Sequence, residues 1–266
     1  MTSPSEPPIA RPDSFDEWLL AFREQASFFT GLRFDVGAPR WQLADVLPVL
    51  PAIGAGIGLA AGLVFAVVQG LATGWLAAVL AVATTVLLTR ALHEDGLADT
   101  ADGLGPHGVS TERRLEIMRD SRNGTFGVLA LALSALAKVG CLAGFGGATG
   151  LVVLIGAHAV SRAAIAYPLL AFGPAQANGL GVRVGKPTDN DVWLTIAIGM
   201  GLAFLLLLGK GFLAALLAPV AAVAAAVLAA RWIADRIGGY TGDTLGAVQQ
   251  VAELAFLVVA ALLVSR

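Results

Sequence analysis

Asp95, Asp99 and Asp102 stand at spacings of four and three in the run H-E-D-G-L-A-D-T-A-D-G-L-G, His93 to Gly105. On a helix those spacings set the three carboxylates within roughly 40° to 60° of one another on one face, where they repel unless a positive charge lies among them. A divalent cation supplies that charge. Mg²⁺ prefers hard oxygen ligands and is held by a few carboxylates while substrate phosphates complete its shell. Asp95, Asp99 and Asp102 are therefore read as metal ligands and as catalytic candidates, with Gly96, Ala98 and Ala101 leaving room for a bulky phosphorylated ligand. His93 is a candidate base or a support for a ligand.

A second constellation follows at I-M-R-D-S-R-N-G-T, Ile117 to Thr125, where Arg119 and Arg122 flank Asp120. Guanidinium groups match phosphate oxygens bidentately and stay charged at any relevant pH, so an arginine pair facing an acid cluster suits a diphosphate. Arg119, Arg122 and Asn123 are read as substrate-binding residues, with Asn123-Gly124 turning the chain into the next helix. Asp120 is either a further metal ligand or catalytic acid-base group, or it orients Arg122. The stretch Ser110 to Met118 reads as a surface helix over the site.

A third motif, G-G-Y-T-G-D-T-L-G-A, spans Gly238 to Ala247. Glycines let backbone N–H groups approach a phosphate, and the positive end of the following helix favours an anion. Thr241, Gly242, Asp243 and Thr244 are candidates for that contact, a plain helix cap at Asp243 or Thr244 being the alternative. His158 and Arg162 lie one turn apart inside an apolar run, where a charge marks function. Arg162 either binds phosphate at the inner mouth or pairs with an acid such as Glu253. Lys138 is expected nearer the outer surface, and the loop with Asn178, Gly179, Leu180, Gly181 and Arg183 reads as a lid.

The elements that hold these residues must be membrane helices. The chain has 266 residues, 57% hydrophobic and 14% charged, with a mean hydropathy of +0.78, well outside the range of soluble domains. The expected fold is an all-α, polytopic bundle in a lipid bilayer. Seven apolar runs approach the roughly 20 residues that a 30 Å core needs: 47–69, 71–92, 124–145, 149–172, 192–209, 212–234 and 246–264, with 192–209 the shortest. No cleavable signal peptide is evident in residues 1–14. Phe15, Trp18, Leu19, Phe22, Ala26 and Phe29 recur at helical spacing, as in an amphipathic interfacial helix. Residues 1–46 are thus a cytoplasmic segment, and 47–266 one transmembrane catalytic domain. With the N-terminus inside, Arg33, Arg40, Arg113, Arg114, Arg119, Arg122, Arg183, Lys186, Arg231 and Arg236 fall on the cytoplasmic side, while Lys210 and Arg266 fall outside. Chemistry is therefore expected at the cytoplasmic face of an inner membrane. The lone Cys141 forms no intrachain disulfide, and no feature points to nucleic acid.

The three motifs, in this order and between spans, resemble the cobalamin synthase family, the adenosylcobinamide-GDP ribazoletransferases, over nearly the whole chain. The resemblance implies a Mg²⁺-dependent membrane enzyme at the end of vitamin B12 nucleotide-loop assembly. Such an enzyme joins adenosylcobinamide-GDP to α-ribazole or its 5′-phosphate, giving adenosylcobalamin or its phosphate and GMP. Homo-oligomerisation stays open. Glu94 departs from the pattern, standing where an apolar residue is expected in H-x-D-G. A CDP-alcohol phosphatidyltransferase is the first rival, but Asp99-Thr100 stands where its D-G-x-x-A-R motif has Ala-Arg. A prenyltransferase would need a second Asp-rich motif, which Asp235 and Asp243 supply poorly. A transporter would place its polar groups at mid-membrane.

Overall fold

The computed structural model describes residues 11–37, 40–120, 122–177 and 184–264, and these are overwhelmingly helical. The expected lid, at 178–183, lies outside the described residues. Helix α1 (Phe15–Phe29) is capped by Ser14, whose hydroxyl accepts from the Glu17 N–H, and it buries Ala21, Ala26 and Phe29. A 3-10 segment, Leu43–Val49, leads into α2 (Leu50–Leu71). Next come α3 (Gly74–Thr89), α4 (Leu92–Leu104), α5 (Thr111–Met118), α6 (Thr125–Leu142), α7 (Gly147–Ala164) and the short α8 (Ala166–Ala171). The chain closes with α9 (Asp189–Leu208), α10 (Phe212–Ile237) and α11 (Gly242–Leu263).

Among the described residues six helical stretches are long and apolar enough to cross a membrane, and a seventh crossing arises if α3 and α4 are taken together. Leu71, Leu87, Leu133, Leu136, Leu205, Leu228 and Leu262 point outward, as an apolar solvent on that side allows, while each helix satisfies its own backbone. The chain is a multi-pass membrane protein.

The second expected span, 71–92, is shorter than the sequence suggested. Helix α3 ends at Thr89, so its 16 residues reach only about 24 Å. Arg90 and Ala91 then adopt left-handed conformations, φ 54° and 57°, and α4 departs at 91° to α3. The run at 192–209, expected to be the least secure span, forms a full 20-residue helix.

The core turns on α7, whose Gly156 to Ala164 are all buried. Helix α2 lies against it through Gly54, Gly58 and Gly62. A Cβ on Gly54 would run into the His158 carbonyl, and one on Gly58 would lie 2.7 Å from the Ile155 Cα. Such stripes of small residues let membrane helices bring their backbones together. Gly56, on the other face, has open space around it. Gly58→Ala should therefore force the helices apart and cost about 1–3 kcal/mol, read as a lower thermal midpoint in detergent, while Gly56→Ala stays at wild type. Equal midpoints for the two variants would refute the close approach.

Candidate functional site

Beyond the turn at Arg90 and Ala91, α4 lies across one end of the bundle and packs on the start of α11. Two glycines permit this. A Cβ on Gly96 would lie 2.5 Å from the Asp243 carbonyl oxygen, and one on Gly246 would lie 3.2 Å from the His93 Cα. The first and third motifs are thereby pressed together, and Asp243 joins the α4 acids.

Asp95 is exposed, whereas Asp99 and Asp243 are half-buried. Partial burial, then the charges of Asp95, Asp243 and Asp102, push the Asp99 carboxyl up to about 7. Such a cluster holds a full set of negative charges only beside a cation.

Asp102 has another task. Its carboxylate accepts the Gly124 N–H at 2.7 Å and the Gly127 N–H at 2.9 Å, taking two of the unpaired donors at the start of α6. The N-G-T-F-G sequence is shaped for this, since a Cβ at Gly124 or Gly127 would collide with the Asp102 side chain. Of the three α4 aspartates expected to hold Mg²⁺, Asp102 is engaged by the start of α6, while Asp243 stands with Asp95 and Asp99. Among the described residues no three of His, Cys, Asp or Glu converge into a finished metal site. A hard cation that takes only one or two carboxylates and completes its shell with phosphate and water suits this donor set.

Two cavities meet at the turn that carries Asp243. The larger, about 860 Å³, lies under α5 and is lined by Thr111, Glu112, Glu116, Arg119, Gln176 and the turn Tyr240 to Asp243, among others. Its far wall is fixed where the Ala175 N–H donates to the Tyr240 carbonyl (2.8 Å) and the Tyr240 N–H to Gly173 (3.0 Å). The expected surface helix is α5, held down by Arg114, which donates to the Gly103 and Leu104 carbonyls at the end of α4. The smaller cavity, about 330 Å³, lies between α1 and α4 and includes Phe28, Phe29, Trp41, His93, Asp95 and Leu245. Gly242 and Asp243 border both.

The arginines do not act as a pair. Arg119 is the one cationic side chain lining the large cavity among the described residues. Arg122 forks onto Asp120 at 3.0 and 2.7 Å in the open and borders a separate cleft with Asn123's neighbour Gly124. The hydrogen bonds from Arg122 hold the Asp120 carboxyl down at about 2, which makes Asp120 a poor proton acceptor and leaves it orienting Arg122. Thr241 caps α11, and Thr244 is committed to the same capping box: the Thr244 hydroxyl accepts from the Thr241 N–H at 2.8 Å and donates to the Thr241 carbonyl at 3.0 Å. Thr244 is committed to the cap, and Gly242 and Asp243, both half-buried, are the turn residues that border the two cavities.

Of the two readings of Arg162, the structure places it with the Glu253 cluster, whereas Lys138 departs from the outer-surface expectation. Lys138 is buried and pairs with Glu253 at 2.7 Å. Arg162 is buried as well, with Nη1 2.8 Å from His158 Nδ1, and His158 lies 3.4 Å from Glu253. Gln249 donates to Glu253 and Ser161, and Gln250 donates to Glu94 at 3.0 Å. The unexpected Glu94 therefore brings a second negative charge to a cluster of two cations and Glu253, a balance that buried charges need.

The profile of the Cobalamin-5-phosphate synthase family matches residues 21–261. The chain belongs to this family. Proteins named adenosylcobinamide-GDP ribazoletransferase are similar along most of its length. That of Allorhizobium ampelinum is 43% identical over 78% of this chain and 82% of its own. That of Bradyrhizobium diazoefficiens is 42% identical over 90% and 92%, and that of Shewanella amazonensis 41% over 80% and 83%. No solved structure matches. Family membership makes the chain a transferase of cobalamin biosynthesis and disfavours the CDP-alcohol and transporter readings.

Two outcomes test the geometry. In metal-free protein the unfolded chain gives up the Asp99 proton near 3.8 while the folded one keeps it to about 7. The folded state then binds more protons in that window, so stability falls as pH rises from about 4 to 7 and levels off above. The difference in thermal midpoint between wild type and Asp99→Asn should therefore grow across that window in favour of the variant; a constant difference would remove Asp99 from the cluster. Asp102→Ala should cost about 1–3 kcal/mol by orphaning two N–H groups, with Asp102→Asn recovering part of the loss in the same melts.

Proposed function

We propose that this chain joins adenosylcobinamide-GDP to α-ribazole or its 5′-phosphate, giving adenosylcobalamin or its 5′-phosphate and GMP, in the last steps of vitamin B12 nucleotide-loop assembly. The observation that carries the reading is the turn Gly242–Asp243, shared by two cavities of unequal size, with Asp95 beside it on the smaller one. A two-substrate phosphoryl transfer needs a donor on one side of the reacting phosphorus and an acceptor on the other.

In this reading the diphosphate enters the large cavity. Arg119 holds its oxygens bidentately, and the N–H groups at the start of α11 face the same charge. A ribose hydroxyl of α-ribazole attacks the phosphorus that carries the aminopropanol ester, forming the new P–O bond. The P–O bond to GMP breaks, and GMP leaves with the electron pair. The hydroxyl proton passes to a carboxylate of the acid cluster, because Asp120 is held down by Arg122 and Asp102 is engaged by α6. One or two carboxylates of the group Asp95, Asp99 and Asp243 would hold Mg²⁺, which would supply charge neutralisation for the diphosphate and the departing phosphate. The acid face is cytoplasmic in an inner membrane, a reading supported by Arg113, Arg114, Arg119 and Arg122 beside the site and Lys210 between α9 and α10.

Purified protein in detergent, given adenosylcobinamide-GDP and α-ribazole 5′-phosphate, should release GMP only with both substrates and Mg²⁺, and EDTA should abolish release. Asp99→Asn should fold and insert yet lose at least about 100-fold in turnover. Arg119→Ala should raise KM for the GDP substrate by at least about tenfold. GMP release by wild type that needs no acceptor or no metal would overturn the reading.

A further inference from the structure

The 330 Å³ cavity between α1 and α4 has a composition unlike that of the phosphate side. Phe28, Phe29, Trp41, Leu43, Leu92, Ile165 and Leu245 give it an apolar lining. The His93 ring lies stacked on Phe29, with centroids 5.9 Å apart and planes within 10°. His93 is 2% exposed, and neither Nδ1 nor Nε2 has a hydrogen-bond partner. A buried polar group normally finds one, so an imidazole left with two unpaired nitrogens at a cavity wall is short of a ligand. An acyl chain would fill the space without meeting that need.

We infer that this cavity binds the flat bicyclic base of the ribazole acceptor, with Phe29 and His93 packing along the base and an N–H of His93 donating to its free ring nitrogen. The inference rests on the transferase reading above and adds to it the place and the recognition of one substrate. Three observations agree. The volume sits at the low end of the roughly 300–1,000 Å³ of small-molecule sites, enough for a nucleoside base and too little for a corrin ring. The parallel aromatic pair provides the planar surface on which heteroaromatic bases stack. The acid wall of Asp95 and Asp243 lies at the cavity's border, so a base seated inside leaves its ribose at the shared wall, where the hydroxyl must react. His93 is then a specificity-determining residue rather than the base of the reaction, and α1 is the cover of an acceptor site as well as an interfacial helix.

The test uses the full-length protein in detergent and three acceptor ribosides: the natural dimethylbenzimidazole, an indole analogue with carbon in place of the free ring nitrogen, and a tricyclic naphthimidazole. Wild type should prefer dimethylbenzimidazole over the indole riboside by at least about tenfold in kcat/KM, since a site built for a hydrogen bond rejects the analogue that cannot make it. His93→Leu should bring that ratio near one. Phe29→Ala should raise the ratio of tricyclic to bicyclic kcat/KM by about tenfold or more, a gain that partial unfolding cannot mimic. In both variants KM for adenosylcobinamide-GDP should stay within about twofold of wild type. Selectivity among the three ribosides unchanged by either substitution, with GMP release by wild type intact, would overturn the acceptor site while leaving the transferase reading in place. Absence of GMP release by folded wild type would instead overturn the transferase reading and the inference with it.

Discussion

An acidic helix cannot remain in a membrane, and it cannot leave the membrane and still form the wall of a bundle unless the chain turns sharply between the two. Arg90 and Ala91 make that turn as two consecutive left-handed residues, a conformation that costs non-glycine residues about 1–2 kcal/mol each. The cost is offset locally. The Ala91 N–H donates to the Val86 carbonyl, the Gly31 N–H to Leu88, and the Arg90 guanidinium to the Gly31 carbonyl. The stretch after α1 is thus tied to the end of α3, and the same joint that lays α4 across the bundle brings α1 over it. Strain held by surrounding hydrogen bonds at such a point is a common mark of a functional site.

Once α4 lies flat, its orientation is set by contacts that leave little freedom. Asp102 grips the start of α6, Arg114 closes the end of α4 from α5, and Gly96 allows α11 to within backbone contact. Below, Glu94 reaches Gln250 and through it the Lys138–Glu253 pair. Buried ion pairs contribute little net stability compared with apolar packing, yet they tolerate few alternative arrangements, because any misplacement leaves a charge unpaired in a low dielectric. Helices α4, α6, α7 and α11 are joined by this network, so the acid wall is held on a rigid base rather than on loops.

Much of this was legible in the residues and some was not. Aspartates at a helical spacing announce one acidic face, and the apolar runs announce the bundle, because both patterns follow from local periodicity. The fate of Asp102 could not be read the same way, since its partners are backbone N–H groups in another helix and only the glycines at 124 and 127 hint at a close approach. Asp243 looked like a cap or a phosphate contact because its neighbours in sequence are glycine and threonine, while its neighbours in space are Asp95 and Asp99. Lys138 and Glu253 are over a hundred residues apart, and each alone resembles an isolated charge in an apolar run. Hydropathy also misplaced the weak span, since Leu87, Leu88 and Leu92 continue the apolar pattern straight through a turn that only backbone geometry reveals.

The arrangement of two cavities on either side of the Gly242–Asp243 turn bears on mechanism in a way that neither cavity does alone. In a displacement at phosphorus the incoming and departing oxygens lie roughly in line, and charge grows on the departing side as the bond breaks. A single open cleft would let water reach the phosphorus from the acceptor side and hydrolyse the diphosphate. An apolar compartment on that side, roofed by α1 and filled by an aromatic acceptor, keeps water away from the line of attack and leaves the polar compartment to hold the diphosphate. On the reading proposed here, α1 roofs the acceptor compartment and thereby makes transfer to the riboside the accessible outcome and hydrolysis the hindered one.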